Sequence, residues 1–459
     1  MRTPRSNATA RVVLIAVLLA AGTAHAQSVT GDLVKVVVVS RHGVRTPLAD
    51  PKNDPKDDKK LWTLRQEGWP KKDDWNPPTW PHRDDGDLTK AGSDLAKLMG
   101  GYYRSWFTHL LPDGRCPENN AVFIRADVDE RTQATAAAIA QGLGPCQFPV
   151  HTLTNQKPDP LFHPTSPNMV CALHGQHARQ SIVKRLPPGG FGALDKQHAV
   201  ALSTMQEVLK CCQPALCSAF KRGPSCKLTD LPTDVNVTDG DRVKMVGAIG
   251  IASTAAEIFL LEHDNDMTPV GWGAVDNKSK MATLLTLHNL QFEYMQRTPY
   301  IAGRQGSMLL RAVLAALLGQ PFPGTKAGPL PPADAKFVVF VGHDTNIANL
   351  ATLLQADWDA NEDLPDKTAP TGALVFELRE RAATRYVDAY YVAQTVDQSR
   401  GKTPLNTTSN RPFTSALRLP CVDPAGGPGC RLSKPALGER AAPSFEDLVR
   451  TAVDNQCVN

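Results

Sequence analysis

Val36 to Pro47 reads VVVVSRHGVRTP, and the fold is decided there. Four consecutive β-branched valines, bounded by Asp32 upstream and Ser40 downstream, predict a short strand that is apolar on both faces. Such a strand suits the middle of a parallel sheet covered by helices. Directly after it come Arg41, His42, Gly43, Val44 and Arg45, closed by Thr46 and Pro47, at the strand end where open α/β sheets place ligands. One imidazole between two guanidiniums is a nucleophile inside an anion trap. The two cations disfavour a further positive charge, so the ring stays neutral and nucleophilic in mild acid. They also repel a divalent metal, and the sequence has no HExxH or CxxC pair, so neither metal nor cofactor is expected. The expected guest is a phosphate, which a planar guanidinium can grip with two hydrogen bonds. Gly43 is expected to let backbone approach the ligand, and Pro47 to stiffen the exit.

A second strand of the same kind, KFVVFV at Lys336 to Val341, runs straight into Gly342, His343, Asp344, Thr345 and Asn346 and then a helical stretch, IANLATLLQ. RHGVRTP early and GHDTN late are the two signatures of the histidine acid phosphatases, and the sequence resembles their bacterial periplasmic phytase branch. ADVDERT at Ala126 to Thr132, PDPLFHP at Pro158 to Pro164, GWG at Gly271 to Gly273, LLTLHNLQF at Leu284 to Phe292 and QRTP at Gln296 to Pro299 extend the likeness over nearly all of the mature chain. The resemblance implies an α/β fold: a phosphoglycerate-mutase-like three-layer α/β domain with an inserted, mainly helical cap domain. It also implies that His42 is the nucleophile, forming a phosphohistidine, and that Asp344 protonates the departing alkoxide and then activates water. Arg41, Arg45, Arg131 and His343 would bind the phosphate. Like charge from that phosphate favours the protonated acid, so an acidic optimum is expected.

Arg131 falls in the first turn of a helix that Asp129 is expected to cap, where a cation opposes the helix dipole. A helix built only for stability would not choose it. Its place in the DVDERT segment implies a third phosphate ligand, with the helix N-terminus adding backbone donors. From Cys171 to Gln291 strand signals give way to helical periodicity, so residues 171–291 are read as the helical cap, between α/β portions at 27–170 and 292–459. Glu257 lies in this cap at the position of a phytase carboxylate near the pocket, and an ordinary helix-face Glu is the equal alternative. The segment from Ala49 to Asp87 carries Trp62, Trp69, Trp75 and Trp80 with Lys52 and Lys56, and is read as either a surface loop with tucked aromatics or a substrate rim. The tail after Arg400 is expected to be loop.

The first 26 residues read as a cleaved export signal: Arg2, Arg5 and Arg11, an apolar run from Val12 to Ala21, and Ala24-His25-Ala26 before Gln27. Its removal takes away three arginines and no acids, so the net charge falls from +4 to +1. A near-neutral chain argues against a nucleic-acid-coating surface. No later stretch reads as a membrane span. Ten cysteines in an exported chain read as disulfides whose pairing spacing alone cannot fix. The resemblance implies Cys116 with Cys146, Cys171 with Cys457, Cys217 with Cys226 and Cys421 with Cys430, and leaves Cys211 and Cys212 free, paired with each other, or exchanging. A periplasmic or secreted, monomeric phosphomonoesterase is therefore expected, acting on phytate or sugar phosphates. Leu48 and Ala49 replace a Thr-Lys pair of the phytase branch and keep glucose-1-phosphatase or a broad acid phosphatase as alternatives. A non-catalytic periplasmic phosphate-ester-binding protein would explain the arginines but not His42 opposite Asp344, and a cytoplasmic mutase would not explain the leader or the cysteines.

Overall fold

In this computed structural model, residues 31–48, 68–82, 84–118, 120–154, 158–166, 171–238, 241–322, 328–422, 429–434, 443–454 and 456–457 are described. The leader, Ala49, Lys52, Lys56 and Trp62 lie outside them. In chain order the first elements are β1 (Asp32–Arg41), α1 (Lys90–Trp106), β2 (Val122–Ala126), α2 (Glu130–Gly142) and β3 (Val150–His151). There follow α3 (Gly175–Val183), α4 (Gly190–Gln197), α5 (Ala199–Leu209), α6 (Pro214–Ala219), β4 (Asp234–Thr238), β5 (Arg242–Val246), α7 (Ala248–Asp264) and α8 (Lys278–Met295). The chain closes with α9 (Pro299–Leu318), β6 (Phe337–Gly342), α10 (Asp344–Leu353), β7 (Ala373–Arg381), β8 (Thr384–Ala393), α11 (Val396–Gly401), β9 (Phe413–Ala416), β10 (Cys430–Arg431) and α12 (Phe445–Val453).

The main sheet runs β10-β8-β7-β1-β6-β2-β3, with β9 beside β8. The four valines of β1 alternate between its faces, as a two-residue period requires. Val37 and Val39 pack with Leu309, Leu310, Ile347, Leu350 and Phe445 from α9, α10 and α12. Val36 and Val38 pack with Met99, Tyr103, Ala136 and Ile139 from α1 and α2. Helices thus cover both faces, giving three layers. Each of these valines is fully buried, which is worth about 1.5–3 kcal/mol apiece.

Several sequence expectations need correction. β1 is parallel to β6 but antiparallel to β7, so the sheet is mixed rather than parallel throughout. The cap region, read as helical, contains the β4–β5 hairpin, with RVKMV forming β5 directly ahead of the helix α7. Gly247, with φ +83°, separates the two, and a Cβ there would strike the Pro232 carbonyl. The tail is not all loop: β9, β10 and α12 add to the sheet and its covering layer. Finally, α9 is long and apolar enough by length and composition to cross a membrane. It is instead largely buried against the sheet, α10 and α12.

Leu202, Met205, Ile249, Phe259, Leu284 and Leu285, from α5, α7 and α8, form a separate apolar cluster. Trp69 and Trp75 are buried in it, Trp69 stacking on Phe259 at 5.6 Å between ring centroids. These two tryptophans follow the tucked-aromatic reading. The four disulfides implied by resemblance are formed, and Cys211 pairs with Cys212. All ten cysteines are therefore bonded, as suits an oxidising compartment.

Candidate active site

Strand register brings the two distant motifs together. Arg41 of β1 pairs with Gly342 of β6, so the residues that follow each strand, His42 and His343, emerge side by side. Their rings meet edge-on at 5.5 Å. On the far side of β6, Ala126 pairs with Val341, so Asp127 leaves β2 beside His343. Three parallel strand ends in a row make the crevice in which open α/β sheets bind ligands.

His42 is almost wholly buried. Its Nδ1 lies 2.8 Å from the Gly43 carbonyl, which can only accept, so the neutral ring carries its proton on Nδ1 and its lone pair on Nε2. Burial first, then Arg131, Arg41, His343 and Arg45, keep the ring far below the usual histidine range. The sequence reading named Arg41 and Arg45 for this. Desolvation matters more, and Arg131 leads the cations. Gly43 has a different use from the one expected: a Cβ there would come within 2.9 Å of the Gly92 carbonyl in α1, so the close approach is to that helix. Gly43 N–H donates to Thr135 Oγ1 at 2.9 Å, tying the loop after β1 to α2.

Arg41 is completely buried inside a cage of acceptors. Its Nη2 meets Glu257 Oε1 at 2.5 Å and Asp344 Oδ2 at 3.2 Å. Its Nη1 donates to Asp366 Oδ2 at 3.1 Å and the Thr368 carbonyl at 2.6 Å. Burial opposes its charge, but Asp344, Glu257 and Asp366 outweigh burial and raise its proton affinity further. Arg45 Nη2 meets the other oxygen of Glu257 at 3.1 Å, so one carboxylate bridges both arginines of the RHGVR motif. Both Nη groups of Arg41 being engaged, the bidentate phosphate fork expected of it is taken by protein carboxylates. Arg41 Nε and Arg131 Nε are buried with no acceptor among the described residues.

Arg131 Nη2 lies 2.7 Å from Asp129 Oδ2 and 3.4 Å from His343 Nδ1. Asp129 caps α2 by position only, since its side chain makes no cap bond. The N–H groups of Thr132 and Gln133 are taken by the Asp129 carbonyl, which limits the backbone donors this helix end can offer. Asp344 opens α10, with Oδ1 accepting from Thr345 N–H at 2.7 Å. The six expected site residues thus converge.

Sequence reasoning missed Asp127, His163 and Asp366, and left Glu257 undecided. Asp127 Oδ2 accepts from His343 Nε2 at 2.6 Å and His163 Nε2 at 2.8 Å. Oxygen and nitrogen atoms of Asp127, Asp129, His163 and His343 all lie within 4.8 Å of one another. Each is already bonded to a neighbour, with the Arg131 guanidinium on Asp129, so the cluster reads as a hydrogen-bonded relay. A signal for Glu257 was present: α7 is buried nearly all round, and a charge inside such a helix needs a partner.

Residues 32–393 match the description Histidine phosphatase superfamily (branch 2). The chain belongs to this family. It is 37% identical to Phytase AppA of Escherichia coli (strain K12) over 385 residues, 82% of this chain and 83% of that protein. It is 26% identical to the glucose-1-phosphatase of Salmonella typhimurium, over 75% of this chain and 76% of that one. Among solved structures it is similar to the apo phytase of Hafnia alvei, with a TM-score of 0.79 and 34% identity over 93% of this chain and 98% of that one. Citrobacter braakii phytase gives the same TM-score and coverage at 31% identity. The histidine phosphatase is thus a phosphomonoesterase by family, with its fold shared over 93% of the chain.

Proposed function

We propose that the protein is an exported phytase, hydrolysing the phosphomonoesters of myo-inositol hexakisphosphate through a phosphohistidine on His42. The observation that carries this is the nucleophile itself: a buried, neutral His42 with its proton committed to Gly43 O, surrounded by Arg41, Arg45 and Arg131. The ester phosphate binds against these cations with His343 at its side. His42 Nε2 attacks phosphorus as the P–O bond to the alcohol breaks. The leaving oxygen takes a proton from Asp344, whose carboxylate then accepts a proton from the water that cleaves phosphohistidine. Phytate as substrate is supported by the greater likeness to a phytase than to a glucose-1-phosphatase. A hexakis-sulphate analogue is bound by the similar Hafnia alvei phytase, in a structure with a TM-score of 0.78. The five disulfides support a periplasmic or secreted location.

The test is a substrate panel of phytate, glucose 1-phosphate and p-nitrophenyl phosphate, with His42→Ala as control. Phytate should give the highest kcat/KM, and an alkaline denaturing quench should trap an acid-labile label on the wild-type enzyme and none on the variant. The expected loss of turnover in the variant is on the order of 10⁴ to 10⁶. Preference for glucose 1-phosphate would overturn the substrate, and a fully active His42→Ala the mechanism.

A further inference from the structure

The candidate nucleophile and acid leave the buried carboxylate beside His343 without a role. Asp127 is completely buried at the end of β2 and receives two imidazoles on a single oxygen, while its Oδ1 accepts from Val128 N–H at 2.7 Å. The loop carrying one of those imidazoles is itself anchored. His163 N–H donates to the Asp159 carbonyl at 2.8 Å, and Asp159 holds Arg125 through both carboxylate oxygens at 3.0 and 2.7 Å, with both side chains out of solvent. His163 remains about one-third exposed, so the three groups run from solvent to the nucleophile in the order His163, Asp127, His343.

We propose that Asp127 and His163 are positioning residues with opposite effects on His343: Asp127 fixes its tautomer and favours its protonation by bound phosphate, and His163 restrains that protonation. The inference rests on the phosphatase reading of the site. With Nε2–H donated to Asp127, neutral His343 presents the lone pair of Nδ1 toward Arg131. A monoanionic phosphoester carries one P–OH. On binding, that O–H bond breaks, its electron pair stays on the phosphoryl oxygen, and the proton moves to His343 Nδ1. The result is an imidazolium held between Asp127 and a dianionic phosphoryl group, and the proton returns when phosphate leaves. No further reactant is needed.

The groups facing His343 are His42 beyond β1, Asp127 beyond β2, Asp129 and Arg131 of α2, His163, and Asp344 next to it in the chain. Burial, with Arg131 and His163 adding to it, depresses His343 against the pull of Asp127. His163 also faces burial, but its bond to Asp127 outweighs this and raises it. His163 is therefore the first of the pair to charge as pH falls. At a ring separation of 4.9 Å its charge then works against a second one on His343.

The experiment follows the alkaline limb of kcat against pH, which reports groups in the bound complex, with p-nitrophenyl phosphate as substrate, alongside competitive inhibition by inorganic phosphate. Asp127→Asn removes the favouring charge, so its limb should move to lower pH by about one unit, and phosphate should bind at least tenfold more weakly above pH 6. His163→Asn keeps a donor for Asp127 but loses the charge, so its limb should move to higher pH by up to about one unit. His163→Lys keeps a cation and should return the limb toward wild type. Should Asp127→Asn fail to fold, the two His163 variants still decide the matter. Limbs that coincide with wild type, or that move in the same direction for both Asn variants, overturn the relay. A wild-type protein that releases no phosphate overturns instead the phosphatase reading beneath it.

Discussion

Two carboxylates on α7, Glu257 and Glu262, share a helix and a buried setting, yet they titrate in opposite directions. Burial works to raise both. Glu257 bridges Arg45 and Arg41, and these cations bring it down to about 2. Glu262 accepts one backbone hydrogen bond, from Gly271 N–H at 2.8 Å, and burial pushes it up to about 7. The difference shows what makes this site electrostatically distinct. Burial alone neutralises an acid, whereas guanidiniums hold one ionised even out of water. The same contrast separates the two flanks of His42. The Arg41 flank is a set of ion pairs, and the flank of His343, Asp127 and His163 contains rings able to change charge.

The largest expected effect concerns the Arg41 flank, where Asp344 is the carboxylate assigned to move a proton. Asp344→Asn should slow the phosphorylation step for sugar and inositol phosphates by about 10²- to 10⁴-fold, and much less for p-nitrophenyl phosphate, whose leaving group departs without help. Equal losses in pre-steady-state bursts with both substrates would make Asp344 another member of the fixed cage. Next comes Glu257→Ala, which strips Arg45 of its carboxylate and Arg41 of one of three. Urea unfolding should show a loss approaching the roughly 3–5 kcal/mol typical of breaking a buried ion pair. A loss under about 1 kcal/mol would show that Asp344 and Asp366 alone balance the flank.

Glu262→Gln tests the other half of the comparison and has the opposite sign. A carboxyl raised in the folded state contributes fully below its ordinary 4.5, and that contribution is lost as pH climbs toward about 7. The variant should therefore unfold like wild type at pH 4 and be more stable at pH 8, by at most about 3 kcal/mol. Glu257 behaves in reverse: its contribution is present above 4.5 and lost as pH falls toward about 2. A Glu262→Gln effect that does not change with pH would break the contrast. The smallest expected effect is that of Asp366→Asn, which keeps one acceptor oxygen, for either Arg41 or Thr368 N–H, and gives up the other. It should cost about 1–2 kcal/mol in thermal unfolding. A larger loss than that of Glu257→Ala would move the centre of the cage from α7 to the Asp366 loop.

The sequence by itself determined the two strands that carry the candidate site and the residues that follow them. Runs of β-branched valine specify a doubly covered strand through local preference and periodicity, and Arg41, His42, Arg45, His343 and Asp344 are adjacent to those strands in the chain. Their chemistry was legible for that reason. The α2 arginine was legible through its conflict with the helix dipole, and the disulfide-bonded nature of the chain through its cysteine count. Tertiary structure alone decided who meets whom. The pairing of β6 between β1 and β2 sets His42, His343 and Asp127 in one row, and a slip of one residue would turn each side chain to the other face. Glu257 and Asp366 reach Arg41 across separations of 216 and 325 residues, and His163 reaches Asp127 from a loop held by a buried ion pair. No local pattern encodes such partners. A charge's partner is fixed by crossover and register, and those depend on how the whole chain packs.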